Sequence, residues 1–307
     1  MRVLITGAGG NLGRAAIPIL EQAGCEVRLF DSRELSSSHE TVIGDVRDRG
    51  DVAEAMSGVD VVVHGAALHG IHLDGWSAQD FWSINVDGTF VVYDTARHAG
   101  VQRIVLASSM AVYGIGAGSP DRWPIITEES PLRPNDLYGL TKVIGEQTAR
   151  FHADLHGMST VALRLGMFVP ETFERYGFRL LFGGVDDRDV GQAVALALEH
   201  EPQHGFAAFN IMSDNGLRED VELLAADLPA ALDRRWPGTT DDVLANGAKL
   251  QDLIWGGVVY DVEAARTHLG FHPRYDFTAF LAAWRRGDRA HYPYADEPWW
   301  GANRPGA

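Results

Sequence analysis

Arg2-Val3-Leu4-Ile5-Thr6-Gly7-Ala8-Gly9-Gly10-Asn11-Leu12-Gly13 is the stretch that decides how this chain of 307 residues folds. Residues 2 to 6 read as a buried strand, and an apolar-periodic helix follows to about Ala23. Between them, Gly7, Gly10 and Gly13 let the backbone turn tightly and close on a pyrophosphate. The helix N-terminus then faces the negative charge. The glycine spacing departs from the usual GxGxxG. Pro18, inside the helix, removes one hydrogen bond. Strand, glycine turn and helix in this order make a dinucleotide-binding start, with Gly7 and Gly10 as cofactor-binding candidates.

The pattern repeats outward. Glu26-Val27-Arg28-Leu29-Phe30 is a second strand ending at Asp31, 18 residues past Gly13. A carboxylate there accepts from both adenosine ribose hydroxyls and repels a 2′-phosphate, which favours NAD over NADP. Arg33, which could accept such a phosphate, reads as a solvated loop charge. Thr41 to Val46 is a third short strand, and Asp45 at its end is placed either to meet an adenine amino group or to cap the helix beginning near Asp48. Val59 to His64 is a fourth, apolar strand, followed by Gly65-Ala66-Ala67, where small side chains admit a flat cofactor. His64 reads as a packed strand-end residue.

A long helix over 77–99 contains Asn85, and Val101 to Ser109 is the fifth strand. The loop 115–135 is proline-rich and long enough to shape a pocket. A helix capped by Asn135 or Asp136 then runs to about Gly157, and Thr160 to Leu165 is the sixth strand. Alternating strands and helices through residue 165 predict an α/β fold, a Rossmann-type doubly wound parallel sheet. Past residue 166 the pattern loosens into helices over 186–200, 218–227 and 276–287 and a strand over Phe206 to Met212. The expected organisation is a sheet domain over 1–166 and a smaller C-terminal substrate lobe over 167–307, interleaved with it and packed over the strand ends. The tail from Ala290, with Trp299 and Trp300, is expected to dock on the surface or join a subunit contact.

Tyr138-Gly139-Leu140-Thr141-Lys142 carries the chemistry. A tyrosine and a lysine four residues apart share one helix face. A free phenol, with a pKa of ~10, is a poor base at neutral pH. An ammonium at ~4 Å offers about 4 kcal/mol toward lowering it, at an effective dielectric near 20. The expected result is a tyrosinate that takes a proton from an alcohol or returns one to a ketone.

Composition narrows the partners. A net charge of −16 argues against a nucleic-acid surface and an anionic membrane. No apolar run approaches the ~18 residues of a membrane span. The single cysteine, Cys25, forms no internal disulfide. With an N-terminus that runs straight into a strand, this fits a cytoplasmic enzyme. His69, His72 and Asp74 could ligate a metal. The preferred reading is no metal, with His69 lining the substrate pocket, because the loop follows the fourth strand.

Together these motifs resemble the extended short-chain dehydrogenase/reductases, the NAD-dependent epimerase/dehydratase group. The resemblance rests on Thr6 to Gly13, Asp31, Gly44-Asp45-Val46, His64 to Ala67, Asn85, Ser108 to Gly114, Tyr138 to Lys142, Leu163-Arg164, Val185 to Val190 and Leu269 to Pro273. It implies NAD as cofactor, held by Gly7, Gly10, Asn11, Leu12, Asp31, Asp45, Val46, Ala66, Ala67, Asn85, Tyr138 and Lys142. It implies Ser109 as the hydroxyl-positioning residue, Tyr138 as general acid/base, and Lys142 as its electrostatic and ribose-binding partner. It also implies a homodimer joined through two long helices per subunit.

The departures bear on substrate. Where dehydratases of the group carry an Asp-Glu pair, this chain has Met110 and Ala111, which move no proton. Cys25 reads as core rather than as an epimerase's extra acid/base. The Asn that nucleotide-sugar enzymes carry after the sixth strand is missing at Met167, and only a short run separates Pro170 from Val185. The run looks more like uronate dehydrogenases of the group. There an arginine holds the substrate carboxylate, and Arg179 falls at the similar position; its alternative is an ion pair with Asp186 or Asp189. The expectation is hydride transfer between NAD and a secondary alcohol of a sugar or sugar-like molecule, with Ser109, His69 and Arg179 as substrate contacts. A nucleotide-sugar 4-epimerase and a non-catalytic NAD sensor are the alternatives.

Overall fold

The computed structural model describes residues 1–114, 123–247 and 257–295. Seven parallel strands form one sheet in the order β3-β2-β1-β4-β5-β7-β8. They are β1 (Arg2–Thr6), β2 (Glu26–Asp31), β3 (Glu40–Ile43), β4 (Val61–His64), β5 (Arg103–Ser109), β7 (Ser159–Leu165) and β8 (Phe206–Ile211). The order steps outward from β1 in both directions, which is the doubly wound arrangement and leaves a crevice at the carboxyl ends beside β1. Val3, Ile5, Val61, Val63, Val105 and Val161 bury one face of the sheet, and Leu4, Val62, Ile104 and Ala162 the other. Near-continuous apolar strands follow from burial on both sides.

Helices α1 (Asn11–Gln22) and α7 (Asp187–Glu199) cover the first face. Gly191 makes their close contact possible, since a Cβ there would lie 2.3 Å from the Ala15 carbonyl oxygen. The second face is covered by α2 (Arg49–Ala55), α4 (Gly88–Ala99) and α5 (Leu137–His156). Asp136 caps α5, accepting from the Gly139 N–H at 2.6 Å, and Gly157 at φ 66° ends it.

Several expected boundaries move. β3 stops at Ile43, so Asp45 and Val46 sit in the loop beyond it. Asp48, not Asp45, caps α2, accepting from the N–H groups of Gly50 and Asp51. The expected helix over 77–99 is α3 (Ala78–Phe81), a π-helical segment (Trp82–Asp87) and α4. The loop over 115–135, so far as it is described, contains a short strand β6 (Ile125–Ile126), paired in parallel with β9 (Val259–Tyr260).

The largest difference concerns the chain after residue 166. β8 pairs with β7 from Thr160↔Phe206 to Leu165↔Ile211, so α7 and β8 extend the main sheet rather than the second lobe. That lobe is built from α6 (Phe173–Leu181), α8 (Val221–Ala226), α9 (Leu228–Arg235), α10 (Thr239–Ala245) and α11 (Phe277–Arg285). Phe173, Tyr176, Leu180, Trp236, Phe277 and Phe280 form its core. The tail docks on it as far as it is described: Tyr292 stacks on Tyr176 with ring centres 3.7 Å apart. Trp299 and Trp300 lie outside the described residues. No helix among the described residues is long and apolar enough to cross a membrane.

Candidate active site

A cleft of about 450 Å³ runs along the carboxyl ends of the strands. Gly7, Gly10, Asn11, Leu12, Asp31, Asp45, Val46, Ala66, Ala67, His69, Ser109, Tyr138 and Lys142 all line it. At one end the backbone is shaped for a pyrophosphate. Gly7 has φ +68°, and a Cβ on it would lie 2.6 Å from Ala66 Cα, so only glycine lets β1 and β4 end this close together. Helix α1 has Gly10 at its N-cap, with no side-chain cap and no acidic residue in its first turn. Bare N–H groups facing a cleft fit an anion. Asp31, 5% exposed, ends β2 at the same mouth. These residues fit a dinucleotide such as NAD.

Ser109 and Tyr138 meet at the other end. Ser109 ends β5, and its Oγ accepts from the Ala111 N–H at 3.2 Å. Tyr138 comes in on the first turn of α5. Gly139 allows this approach, because a Cβ there would lie 2.5 Å from the Ala111 carbonyl oxygen. Both side chains line the cleft here. Lys142 Nζ lies 5.6 Å from the Tyr138 ring centre and donates to the Ala107 carbonyl at 2.8 Å.

The electrostatics differ from the sequence expectation. Burial pushes the Tyr138 phenol up to about 12, the Ser109 hydrogen bond working against it and Asp136 with it. Burial also pulls the Lys142 ammonium down to about 8. The lysine does not bring the phenol toward neutrality here, because it is turned to a carbonyl and both charged forms are desolvated. A tyrosinate and an ammonium become favourable in such a place only together, as one coupled pair.

The His69 ring lies 4.9 Å from the Tyr138 ring, and its Nδ1 is buried without a partner. Burial, then Lys142 and His72, push it down to about 4, so it is a neutral imidazole at pH 7. His72 is committed locally, its Nδ1 accepting from the His69 N–H at 2.8 Å. Among the described residues no group of three His, Cys, Asp or Glu side chains could hold a metal. His64, 2% exposed, joins Thr6 Oγ1 at 2.7 Å and Thr89 Oγ1 at 3.0 Å, packed at its strand end.

Two named residues stand outside the cleft lining. Asn85, in the π-helical segment, is 3% exposed. Its amide accepts from the Leu68 N–H at 2.7 Å and donates to the Leu68 carbonyl at 2.9 Å and to Thr141 Oγ1 at 3.0 Å. It therefore braces the loop before His69 against the helix of Tyr138 rather than lining the cofactor cleft. Arg179, 8% exposed, is turned to the Val169 carbonyl at 2.5 Å and Glu171 at 2.9 Å. Neither expected acid takes it: Asp186 holds Tyr176 and Arg188, and Asp189 accepts from the N–H groups of Arg274 and Tyr275.

Arg33, read as a solvated loop charge, is half exposed but paired: its Nε lies 3.1 Å from Asp31 Oδ1. The sequence reading passed over other residues that line the cleft. Arg47 pairs with Asp45 in the same way, Nε to Oδ1 at 2.9 Å. The repeated Asp-x-Arg was the available signal. Trp76, Phe168 and Val169 line the cleft toward the catalytic end, and no local pattern marks them.

Residues 3–176 match the model of the NAD dependent epimerase/dehydratase family. A uronate dehydrogenase of Pseudomonas syringae pv. tomato is 32% identical over 218 residues, 70% of this chain and 75% of that protein. An L-arabinose 1-dehydrogenase (NAD(P)(+)) of Haloferax volcanii is 35% identical over 265 residues, 82% of this chain and 96% of that protein. The crystal structure of a short-chain dehydrogenase/reductase superfamily protein from Agrobacterium tumefaciens with bound NAD is similar with a TM-score of 0.69 at 25% identity, covering 95% of this chain and 97% of that one.

Proposed function

The chain belongs to the NAD dependent epimerase/dehydratase family, and from that premise we propose that it is a dehydrogenase of a single sugar-sized ring, an aldose or a sugar acid. Its cofactor is NAD, which when bound accepts the hydride from the carbon being oxidised. The protein's own part is the proton. Ser109 Oγ holds the substrate hydroxyl, Tyr138 Oη takes its proton, and Lys142 carries the charge that makes the phenolate tolerable. The observation that carries the reading is that Ser109, Tyr138 and Lys142 line one cleft, with Lys142 Nζ 5.6 Å from the Tyr138 ring centre. A cofactor sensor has no need of that trio.

The surroundings favour simple oxidation. Met110 and Ala111 are buried, at 5% and 3% exposure, and neither can move a proton, which disfavours dehydration. His69, which lines the cleft with its ring 4.9 Å from that of Tyr138, is the candidate to meet a ring hydroxyl of the substrate. Arg179, turned onto Glu171, takes no part in this reading. A homodimer is supported by Phe90 on α4 and by Phe151 and Leu155 on α5, which stand 44%, 48% and 64% exposed and which a second copy would cover. A lone, unpaired Cys25 suits a cytoplasmic setting.

A panel of free aldoses, uronates and nucleotide sugars, each incubated with protein and NAD, tests this. NADH should accumulate with one or more free sugars or uronates. Turnover of nucleotide sugars alone, with inversion at a ring carbon and no net NADH, would overturn it in favour of the 4-epimerase.

A further inference from the structure

Helix α5 carries a third polar side chain in the row begun by Tyr138 and Lys142. Glu146 stands one further turn along and is fully buried. Its Oε1 accepts from Ser108 Oγ at 2.6 Å and from Arg164 Nε at 2.9 Å, and its Oε2 accepts from Arg164 Nη2 at 2.8 Å. Ser108 and Arg164 are register partners across the β5–β7 ladder. Arg164 is buried too, and its Nη1 donates to Tyr113 Oη at 2.7 Å. Tyr113 in turn donates to Asn210 Oδ1 on β8 at 2.7 Å. Ser109 lies between the two attached residues, with Ser108 just before it and Tyr113 ending the 3₁₀ turn (Met110–Tyr113) that follows. Lys142 adds a second fastening, to the Ala107 carbonyl at 2.8 Å. The helix of Tyr138 is thus tied at two points to the strand end that carries Ser109.

A buried ion pair is a weak source of stability, because desolvating both charges takes back most of their attraction. Apolar side chains of the same volume would hold α5 on the sheet about as well. They would not fix its register, since apolar contact is non-directional. A two-pronged carboxylate–guanidinium bond does, because its donors and acceptors match in one geometry. We propose that Glu146 is a positioning residue: acting through Ser108 and Arg164, it sets where Tyr138 stands relative to Ser109. Glu146 is not among the residues that line the cleft, so it acts without touching cofactor or substrate. The proposal rests on the reading of Ser109, Tyr138 and Lys142 as the group that handles the substrate's proton.

Ser108→Ala removes one donor to Glu146 and leaves the ion pair with Arg164 whole. Single-turnover stopped flow, with NAD and a sugar or uronate accepted in the panel above, reads two quantities. The rate of NADH formation reports the hydride step, and the amplitude counts working sites. The rate should fall by about ten- to a hundredfold, the cost of moving reacting groups by up to ~1 Å. The amplitude should match the wild type, and the dissociation constant for NAD, by calorimetry, should stay within about threefold. Glu146→Gln should slow the same step at least as much, at the sites its amplitude counts; Ser108→Ala decides if that variant does not fold. Three results for Ser108→Ala overturn the proposal. One is a rate within about threefold of the wild type. Another is a reduced amplitude at an unchanged rate, which is a stability role only. The third is a slower rate with a proportionate rise in the substrate's KM, which makes Ser108 a binding contact. Near-normal turnover in Tyr138→Phe would instead remove the reading beneath the proposal, and the proposal with it.

Discussion

Tyr138 and Lys142 show what a residue pair can and cannot disclose in sequence. Their spacing put them on one helix face, and the structure has them there, lining one cleft with Ser109. Their energetics did not follow from spacing, since desolvation belongs to the neighbours that cover a group. The same limit applies to Asn85, Arg33 and Arg179, expected on the cofactor, in solvent and on the substrate, whose side chains turn to Leu68 and Thr141, to Asp31, and to Val169 and Glu171. A phenol held near 12 must first lose its own proton to solvent, with the lysine charged beside it, before the tyrosinate can take the substrate's. Tyr138→Phe should therefore lower kcat by ~10²–10⁴, the usual range for an acid/base group. Affinity for NAD should stay nearly unchanged, because the ring is retained. Steady-state turnover together with calorimetry checks both halves, and near-normal turnover in the variant would exclude Tyr138 as the base.

At the scale of elements, the first strands and the glycine turn were legible because apolar runs and glycines are local signals. The π-helical segment was not, since Trp82 to Asp87 contains no breaker and it is the burial of Asn85 that accompanies it. Strand β8 was read as a strand but assigned to the wrong body, because its choice of β7 as partner is non-local. Helices α9 and α10 have only 8 and 7 residues, too short for a clear apolar period.

His64 ties three elements together. Thr89 donates to the Asn85 carbonyl at 2.6 Å, so it accepts from His64 Nε2 on β4, and Thr6 of β1 then donates to His64 Nδ1. This neutral tautomer is held by burial, and the charged form is pushed down to about 3. The unfolded chain protonates this histidine near pH 6.5, so the contribution is complete above that pH and is lost as pH falls toward 3. Between pH 6.5 and 5 the loss is about 2 kcal/mol from this residue alone. Denaturant unfolding of the wild type and His64→Gln across that window should show a shallower acid slope in the variant, by up to one proton. Equal slopes would mean that the His64 proton equilibrium does not differ between the folded and unfolded chain.

The whole molecule combines a sheet body, with a cleft along the carboxyl ends of its strands, and a lobe assembled from separated segments of chain. A doubly wound parallel sheet was implied by the alternation of strands and helices. Interleaving after residue 166 was expected too, but not its route, in which the chain leaves for α6, returns for α7 and β8, and leaves again. That interleaving has a consequence for function: Phe168 and Val169, on the first crossing, line the same cleft as His69, Trp76 and Tyr138. The central claim is that this cleft oxidises one sugar-sized alcohol and releases the reduced cofactor. Its most direct test follows a deuterium placed on the reacting carbon of an accepted sugar, with NMR of both products. The account predicts deuterium in NADH that accumulates one-for-one with a dehydrogenated sugar. Deuterium returned to a sugar of inverted configuration, with no NADH formed, would contradict it.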